Sequence, residues 1–321
     1  MPPTEPEPAA ADGAARRVAV VVLTYHSADV VEGSLAHLLA TAYPAFDVVV
    51  VDNASTDDTV ARVRARHPDV AVVRAPANLG WSGGNALGIR WALERGADYV
   101  VLLNPDVLVP PGWLAAAVRA MESRPALALM DFELASGREG AEARAVTSAS
   151  TPADAPVRLV EGASGAALVV RAAALPVIGL PDPDYFLYCE DVDWSWRTAA
   201  AGWEVGRLGV PLWHASEGSS GDRDARRLLR SWLSFRNSLR LYLKHRPGQA
   251  AGWIKSMFIY ACSPTPPTED ILNRFRPFGP VRNALLVLAA IGWNALHLPA
   301  TLLTRRRERR WSARGWPLTD A

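Results

Sequence analysis

An apolar run that ends in a carboxylate is the first place in this sequence where chemistry is indicated. The run Tyr99 to Leu103 is uninterrupted, and Asn104-Pro105-Asp106 follows it directly. Such a run is typical of a strand buried on both faces of a parallel sheet. Because proline cannot donate to a strand ladder, the strand should end there and present Asp106 at its carboxyl edge. A carboxylate at that edge suits a hard divalent cation that bridges to phosphate oxygens, although a turn aspartate without a ligand is the alternative.

The elements that must position Asp106 can be predicted from three earlier apolar runs. Each run ends in a polar or glycine-bearing loop; they cover residues 18–23, 46–51 and 70–74. Amphipathic segments with helical spacing follow the runs, and the one before Tyr99 predicts a helix over about 85–95. Strands that alternate with helices predict an α/β fold with a parallel, doubly wound sheet. All four strands would end at one edge, where we expect the site.

The rest of the chain is less regular. We predict a helix over 110–123, a flexible loop over 133–156, a strand over 166–170, a helix that begins at Glu190, a short strand over 204–208 and a loop at Trp213-His214. A basic amphipathic helix over 226–244 and two apolar stretches, 253–262 and 284–303, follow.

Composition restricts the class of protein. The 321 residues can bury one large core or two modest ones, and a formal net charge of +1 argues against a nucleic-acid partner. The two cysteines, Cys189 and Cys262, form no disulfide framework or metal-ligand spacing, so reduced thiols in the cytoplasm are expected. The first 17 residues lack an apolar signal-peptide core, and we expect a disordered tail.

Five motifs in order make the sequence similar to the family-2 inverting glycosyltransferases, and most similar to the bacterial rhamnosyltransferase-like branch. They are Leu23-Thr24-Tyr25, Val51 to Asp57, Asn78 to Asn85, Leu103 to Asp106, and Tyr188 to Asp191. The match covers roughly 18–220 and implies a GT-A fold, a Rossmann-like nucleotide-diphospho-sugar transferase domain. The sequence departs from the family at His26, at Asn104 and over Leu180 to Asp184.

The resemblance implies a nucleotide-sugar donor site built from several loops. Asp52 resembles the carboxylate that accepts the imide N–H of uracil or thymine, which suits a group that can only accept. Tyr25 would offer a stacking face to the nucleoside. The glycine-rich loop would let backbone approach the ribose and diphosphate at a helix start with free N–H groups, although such glycine spacing alone more often marks a turn. The implied donor-binding residues are Thr24, Tyr25, Asp52, Asn78, Gly80, Asn85, Asn104 and Asp106.

The same resemblance implies a divalent metal, Mg²⁺ or Mn²⁺. Asn104-Pro105-Asp106 stands where the family has Asp-X-Asp, and the loss of one negative charge should loosen the site. His214 resembles the distant histidine that completes the metal shell or contacts a phosphate, and a purely structural histidine is the alternative.

The acid–base centre implied by the resemblance is Glu190-Asp191. Asp191 matches the family base, which removes the acceptor hydroxyl proton during inverting transfer, and Glu190 would shape the acceptor pocket. Asp193 should face elsewhere on the helix. Acids favoured at a helix start by its dipole are the structural alternative, but the neighbouring aromatic side chains of Tyr185, Phe186 and Tyr188 suit sugar binding.

These inferences predict a catalytic domain over 18–220, with a nucleotide-binding half over about 18–125 and an acceptor half over about 158–220, and a helical region over 221–321. The predicted reaction transfers L-rhamnose from dTDP-rhamnose to a hydroxyl acceptor in cell-envelope polysaccharide or glycolipid synthesis. A UDP- or GDP-linked donor, a natural-product acceptor and a non-catalytic nucleotide-sugar-binding module are the alternatives. A Rossmann oxidoreductase is excluded because no Gly-x-Gly-x-x-Gly follows the first strand.

The apolar stretch over 284–303 bears on where the protein works. Its 20 residues would span about 30 Å as a helix, which is the thickness of a hydrocarbon core. Trp293 and Trp311 are candidate interface anchors, and the basic cluster Arg305 to Arg310 would attract anionic lipid. A buried helix is the alternative. We predict a peripheral attachment at the cytosolic face of the plasma membrane, which fits a lipid-linked acceptor.

Overall fold

The computed structural model of the chain describes residues 15–137, 141–152, 154–215, 223–262 and 278–318. These residues form two compact units. The first comprises the described residues up to 186, 190–215 and 315–318, and the second comprises 187–189 and 223–314. Most of the predicted tail lies outside the described residues. Its last two residues are held in place, because the Tyr43 hydroxyl donates to Arg16 O and Arg17 N donates to Asp98 Oδ2.

The first half of the first unit is a βαβ series. Its elements are β1 (Val18–Thr24), α1 (Val31–Leu39), β2 (Phe46–Asp52), α2 (Thr59–Arg66), β3 (Ala71–Arg74), α3 (Gly80–Glu94) and β4 (Tyr99–Leu103). The four strands are parallel in the order β3-β2-β1-β4, so their carboxyl ends meet at one edge as predicted. Helix α3 begins five residues earlier than predicted. Gly84 and Gly88 let α3 pack closely on β1. A Cβ on Gly84 would lie 2.4 Å from a side-chain carbon of Leu23, and a Cβ on Gly88 would lie 2.1 Å from a side-chain carbon of Val21.

The second half of this unit changes the character of the sheet. Its elements are β5 (Val107–Leu108), α4 (Trp113–Ser123), β6 (Leu127–Gly137), α5 (Ala141–Ser148), β7 (Val157–Leu159), β8 (Ala167–Arg171), α6 (Leu175–Ile178), α7 (Glu190–Ala200) and β9 (Glu204–Ala215). The sheet continues from β4 through β8, β6 and β9 to β5, and β7 pairs with β9. Strand β8 runs antiparallel to β4 and to β6. The nine-stranded sheet is therefore mixed: the four strands of the βαβ series are parallel as predicted, and the antiparallel pairs all involve strands from the second half of the unit.

Two elements differ from the sequence-based expectation. The predicted loop over 133–156 contains the end of β6 and all of α5, and β9 continues through Trp213-His214, where a loop was predicted. Strand β6 pairs with β9 over most of its length, with a register shift beside Pro211. That irregularity is where a proline without an N–H can be accommodated within a sheet.

The core of the first unit lies between the sheet and helices on its face. Val20 and Val101 from the central strands are fully buried together with Leu35 of α1 and Trp113 of α4. The Trp113 indole donates to Thr41 Oγ1 at 2.9 Å, so this large side chain is buried without an unsatisfied N–H. The packed layer fixes the strand ends from which the site is built.

The second unit is helical and consists mainly of α8 (Arg223–His245), α9 (Ala250–Cys262) and α10 (Pro280–Arg314). Their apolar contacts are made by residues such as Phe235 of α8, Met257 of α9 and Val287 of α10. Helix α10 contains the predicted apolar stretch and is long and apolar enough to cross a membrane. Only 22% of its most apolar window is buried within the protein.

The two sides of α10 have the reverse of the usual polarity. Its buried stripe, spaced by three, four or seven residues, is largely polar and consists of Asn283, Val287, Ala290, Asn294, Thr301, Thr304 and Glu308. Inside the unit, Lys244 donates to Glu308 and Asn294 donates to Arg236 O. The opposite stripe is exposed and apolar, with Val281, Leu285, Leu288, Leu296 and Leu303 each more than half exposed. A soluble surface helix shows the opposite pattern.

Candidate functional site

The pairing of β5 with β9 brings together the two predicted metal ligands. Val107 lies opposite His214 in this antiparallel pair, and Ala215 N donates to Asp106 O at 3.0 Å. This register places His214 Nε2 3.3 Å from Asp106 Oδ1, with both side chains partly exposed (22% and 16%). Asn104 forms the turn before them, because its N–H donates to Ala166 O and its carbonyl accepts from Val107 N.

Asp52 ends β2 as a fully buried carboxylate with several partners. Its Oδ2 accepts from Ser55 N at 3.2 Å, and its Oδ1 lies 3.4 Å from the hydroxyl of Thr24, its partner in the strand register. Arg74, opposite Asp52 on β3, places Nε 3.4 Å from Oδ2. Arg74 was not among the site residues predicted from the sequence. An arginine as the last residue of a short strand in a βαβ series was the available signal.

The loop after β1 presents two stacked rings. Tyr25 is 43% exposed and stacks on His26, with ring centroids 4.2 Å apart and planes inclined by 22°. His26 has a φ of 50°, its N–H donates to Ser55 Oγ, and its Nε2 lies 3.0 Å from Thr56 Oγ1. His26 departs from the family motif and carried no assigned role in the sequence, yet it is held firmly beside Tyr25.

The start of α3 differs from the expected anion site. The Leu79 and Gly80 amides donate to the side-chain oxygens of Asn53 and Asn78, and the Trp81 amide donates to Phe186 O. Three N–H groups that were expected to be free are therefore bonded within the protein. Asn53 also donates through Nδ2 to Asn78 Oδ1 and Gly80 O, so it joins the loops after β2 and β3. No role was assigned to Asn53 from sequence.

The glycines of this loop serve packing between protein segments. Gly80 has a φ of +69°, and a Cβ there would lie 2.2 Å from Phe186 O. The space that the sequence suggested for ribose or diphosphate is therefore filled at Gly80 by backbone. Asn85 is also buried; its Nδ2 donates to Trp81 O, and its Oδ1 has no hydrogen-bond partner among the described residues.

Glu190 and Asp191 form the first turn of α7. Asp191 Oδ2 accepts from Gly165 N at 2.9 Å, and its Oδ1 accepts from Val192 N at 2.8 Å. Glu190 is 5% exposed, and its Oε2 has no partner among the described residues. Burial raises the pKa of Glu190 well above its usual value, and the charge of Asp191 raises it further. Burial also raises the pKa of Asp191, against the lowering effect of the two amides.

Of the three aromatic residues before α7 that were expected to suit sugar binding, Tyr185 is committed to the protein interior. Tyr185 is fully buried, and its hydroxyl donates to Asp193 Oδ1, while Asp193 Oδ2 accepts from Arg197 Nε at 2.9 Å. Tyr185 therefore supports the fold, and Asp193 faces away from Asp191 as expected. Phe186, Tyr188 and Cys189 all have positive φ values between 63° and 73°. Such strained residues cluster at functional sites, where the surrounding structure holds them in place.

One short segment connects the metal-ligand turn to the acidic pair. Ala166 O accepts from Asn104 N at 2.8 Å, and the neighbouring Gly165 N donates to Asp191 Oδ2. A carboxylate and a histidine suited to a cation, and a carboxylate of raised proton affinity, are thus held in one hydrogen-bonded framework. This arrangement suits transfer of a group away from a phosphate leaving group to a nucleophile that must lose a proton.

Comparison with known proteins agrees with this arrangement. The family model described as "Glycosyl transferase family 2" matches residues 19–156. The N-acetylglucosaminyl-diphospho-decaprenol L-rhamnosyltransferase of Mycobacterium tuberculosis is 30% identical over 221 residues, which cover 57% of this chain and 71% of that protein.

Two solved structures share the fold at lower identity. A mannosyltransferase from Pyrobaculum calidifontis in complex with GDP-Man and Mn²⁺ is 21% identical, with a TM-score of 0.52 and coverage of 94% of this chain and 86% of that chain. GalNAc-T7 with UDP, GalNAc and Mn²⁺ is 13% identical, with a TM-score of 0.55 and coverage of 72% and 48%. The extent of the match to the rhamnosyltransferase, together with the family model and the GT-A architecture, shows that this chain is a glycosyltransferase of family 2.

Proposed function

We propose that this enzyme transfers L-rhamnose, with inversion, from dTDP-rhamnose to a hydroxyl group of a lipid-linked acceptor in cell-envelope synthesis. The observation that carries the proposal is the 165–166 segment, which accepts from the N–H of Asn104 near Asp106 and donates through Gly165 N to the Asp191 carboxylate. The choice of sugar and acceptor follows the relative named an L-rhamnosyltransferase acting on a diphospho-decaprenol.

Asp52 and the stacked rings would bind the nucleoside of the donor. The buried Asp52 carboxylate can accept the imide N–H of thymine, and Arg74 and Ser55 N keep its orientation fixed. Tyr25 and His26 would stack against the nucleoside as one surface. Asn78 and Gly80 would act indirectly, by holding the neighbouring loop in shape.

Asp106 and His214 have the donor atoms that a divalent cation of this kind needs. A carboxylate oxygen and an imidazole nitrogen held 3.3 Å apart suit Mn²⁺, and Mg²⁺ less well, because Mg²⁺ prefers oxygen ligands. With Asn104 in place of a second carboxylate, the protein supplies little charge, so diphosphate oxygens would complete the ligand set. The bound ion would neutralise charge on the nucleoside diphosphate leaving group.

Asp191 would act as the general base. Its carboxylate would take the proton of the acceptor hydroxyl while that oxygen attacks the anomeric carbon from the face opposite the diphosphate, which inverts the configuration. The Gly165 and Val192 amides fix the direction of the carboxylate. Its raised pKa makes it a stronger base than an ordinary aspartate. Glu190 would border the acceptor.

The reversed polarity of α10 supports a lipid-linked acceptor and contact with the membrane. A stripe of leucines facing outward is unfavourable in water but stable in the apolar part of a bilayer interface. The basic cluster Arg305 to Arg310 within the same helix would bind anionic headgroups. We propose a peripheral attachment at the cytosolic face of the plasma membrane.

A donor screen tests the function. Purified full-length protein would be incubated with Mn²⁺, a polyprenyl-diphosphate-linked N-acetylglucosamine and, in parallel, dTDP-rhamnose, UDP-linked and GDP-linked sugars, and the products identified by mass spectrometry. We expect a mass increase of one deoxyhexose with dTDP-rhamnose. Transfer of a different sugar would overturn the donor assignment, and nucleotide-sugar binding without transfer to any hydroxyl acceptor would favour the non-catalytic module.

A further inference from the structure

Three consecutive backbone amides, those of Ala163, Ser164 and Gly165, bind three different side chains; we refer to these residues as the amide loop. Ala163 N donates to Ser195 Oγ at 3.1 Å, Ser164 N to Asp131 Oδ2 at 2.7 Å, and Gly165 N to Asp191 Oδ2 at 2.9 Å. The same short segment therefore carries N–H donors to two carboxylates, Asp191 on α7 and Asp131 on β6. A movement at Ser164 would be passed directly to Asp191.

The second carboxylate belongs to a buried ion pair across the sheet. Asp131 of β6 lies opposite Arg207 of β9 in the strand register and is fully buried. Arg207 Nε donates to Oδ1 at 2.8 Å, and Nη2 donates to Oδ2 at 2.5 Å. Two parallel bonds of this kind fix the orientation of a carboxylate. Asp131 is therefore a rigid acceptor for the Ser164 amide.

On its other side the amide loop packs closely against Trp81 and Asp191. A Cβ on Gly165 would lie 2.7 Å from the indole ring of Trp81 and 3.4 Å from Asp191 Cβ. Ser195, which accepts from Ala163 N, also donates to Asp191 O at 2.7 Å. The loop is thus held between the ion pair on the sheet and the first turn of α7.

Asp131 also acts on Asp191 through its charge. Among the described residues, the charged groups that act on Asp191 are Asp131 of β6, with Arg207 of β9 paired to it, and Glu190 of its own helix. The negative charge of Asp131 raises the pKa of Asp191. Both the direction and the basicity of the Asp191 carboxylate thus depend on a residue outside the five sequence motifs.

We propose that Asp131 is a positioning residue for the transfer reaction, which acts through the Ser164 N–H and the amide loop to hold the Asp191 carboxylate in place. This inference rests on the proposed function, since it takes Asp191 as the base. It goes beyond that function by assigning a role to the Asp131–Arg207 pair.

The test uses Asp131→Ala in the full-length protein, which leaves the Ser164 N–H without its acceptor, and the double variant Asp131→Ala/Arg207→Leu. The double variant replaces the ion pair by two uncharged side chains, so no unpaired charge is left buried if the single variant folds poorly. The control is Glu133→Gln, which removes the next acid of β6 and its exposed ion pair with Arg158. Thermal unfolding and nucleotide binding would confirm that each variant is folded.

We expect kcat to fall roughly 10- to 100-fold in the Asp131 variants, with nucleotide-sugar affinity unchanged, because a misplaced base affects the reacting geometry alone. Without the Asp131 charge the pKa of Asp191 falls, so the acid limb of the kcat/KM profile should move to lower pH. A folded variant with the wild-type limb and the wild-type kcat would overturn the proposal. If Asp191→Asn, measured in parallel, is fully active, the assignment of the base itself has failed.

Discussion

The two acids that begin α7, Glu190 and Asp191, differ in their hydrogen-bond partners, and this difference favours Asp191 as the base. Asp191 is oriented by two N–H groups, whereas Glu190 is buried with one oxygen that has no partner among the described residues. We expect Asp191→Asn to lower kcat by roughly 10²–10⁴-fold with donor affinity nearly unchanged, because the amide cannot accept the proton. Glu190→Gln is the comparison. If it abolishes turnover while Asp191→Asn is active, the base is Glu190.

The raised pKa of Asp191 also predicts the pH dependence of the wild-type enzyme. A base works only when it is deprotonated, so activity should fall as the pH drops through the pKa of Asp191. Because burial raises that pKa, the fall should occur above the range of an ordinary aspartate. A kcat/KM profile that is flat down to pH 4 would contradict this assignment.

Asp106 gives a separate prediction about the metal. Asp106→Ala should nearly abolish transfer, and excess chelator should do the same to the wild type, since both remove the charge that stabilises the leaving group. Asp98→Ala is a matched control, because Asp98 precedes the same strand at its opposite end and binds Arg17 N. The metal assignment fails if the wild type keeps full activity in excess chelator.

At the residue scale, the candidate site residues that could be located from the sequence are those that directly follow a predicted strand. The structure places His214 against Asp106, and their role as metal ligands, which the motif resemblance implies, stays a prediction. The Asp131–Arg207 pair could not be inferred, because its partners are 76 residues apart and become neighbours only through the β6–β9 register. Asp131 and Glu133 also interrupt the apolar pattern of β6, so the sequence did not indicate a buried strand there, although Arg207 pairs with Asp131.

At the element scale, the contact between the start of α3 and the segment before α7 can be tested at one glycine. Gly80→Ala adds a Cβ 2.2 Å from Phe186 O at a φ of +69°, while Gly202→Ala adds one at a φ of +86° with nothing within 4 Å. Both should lose about 1–2 kcal/mol from the backbone conformation. Gly80→Ala should lose more, because the backbone of Phe186 must also move. Equal losses in urea unfolding would contradict the contact.

The elements themselves were predictable in the first half of the chain and less so in the second. Buried parallel strands show as apolar runs, so β1, β2 and β4 were located closely. Strand β6 was missed and β9 was placed too short, because both interrupt their apolar pattern, with acids in β6 and with Pro211 in β9. The sheet partners that tolerate these interruptions are distant in sequence, and no local pattern reveals them.

At the scale of the whole molecule, α10 determines where the enzyme should be found. We expect full-length protein in the membrane fraction, released only in part by high salt, because the salt screens the arginines and leaves the apolar stripe in place. Changing Leu285, Leu288, Leu296 and Leu303 to Gln should move it to the supernatant, and truncation at Pro280 should do the same. Substituting Glu for the exposed residues Arg306 and Arg309 measures the electrostatic contribution to membrane binding separately. Full-length protein that stays in the high-speed supernatant would rule out the attachment.

The mixed sheet also has a consequence for how the chain folds as it is synthesised. Strands β1 to β4 follow one another along the chain and pair among themselves, in the order β3-β2-β1-β4, so they can assemble as they emerge. Strand β6 can pair with β8 before its other neighbour, β9, is made. At typical translation speeds of about 5–20 residues per second, the 76 residues that separate Asp131 from Arg207 take about 4–15 s. During that interval Asp131 has no cation opposite it in the sheet. The donor half of the enzyme can therefore form first, and the support of Asp191 is completed only when the last strand arrives.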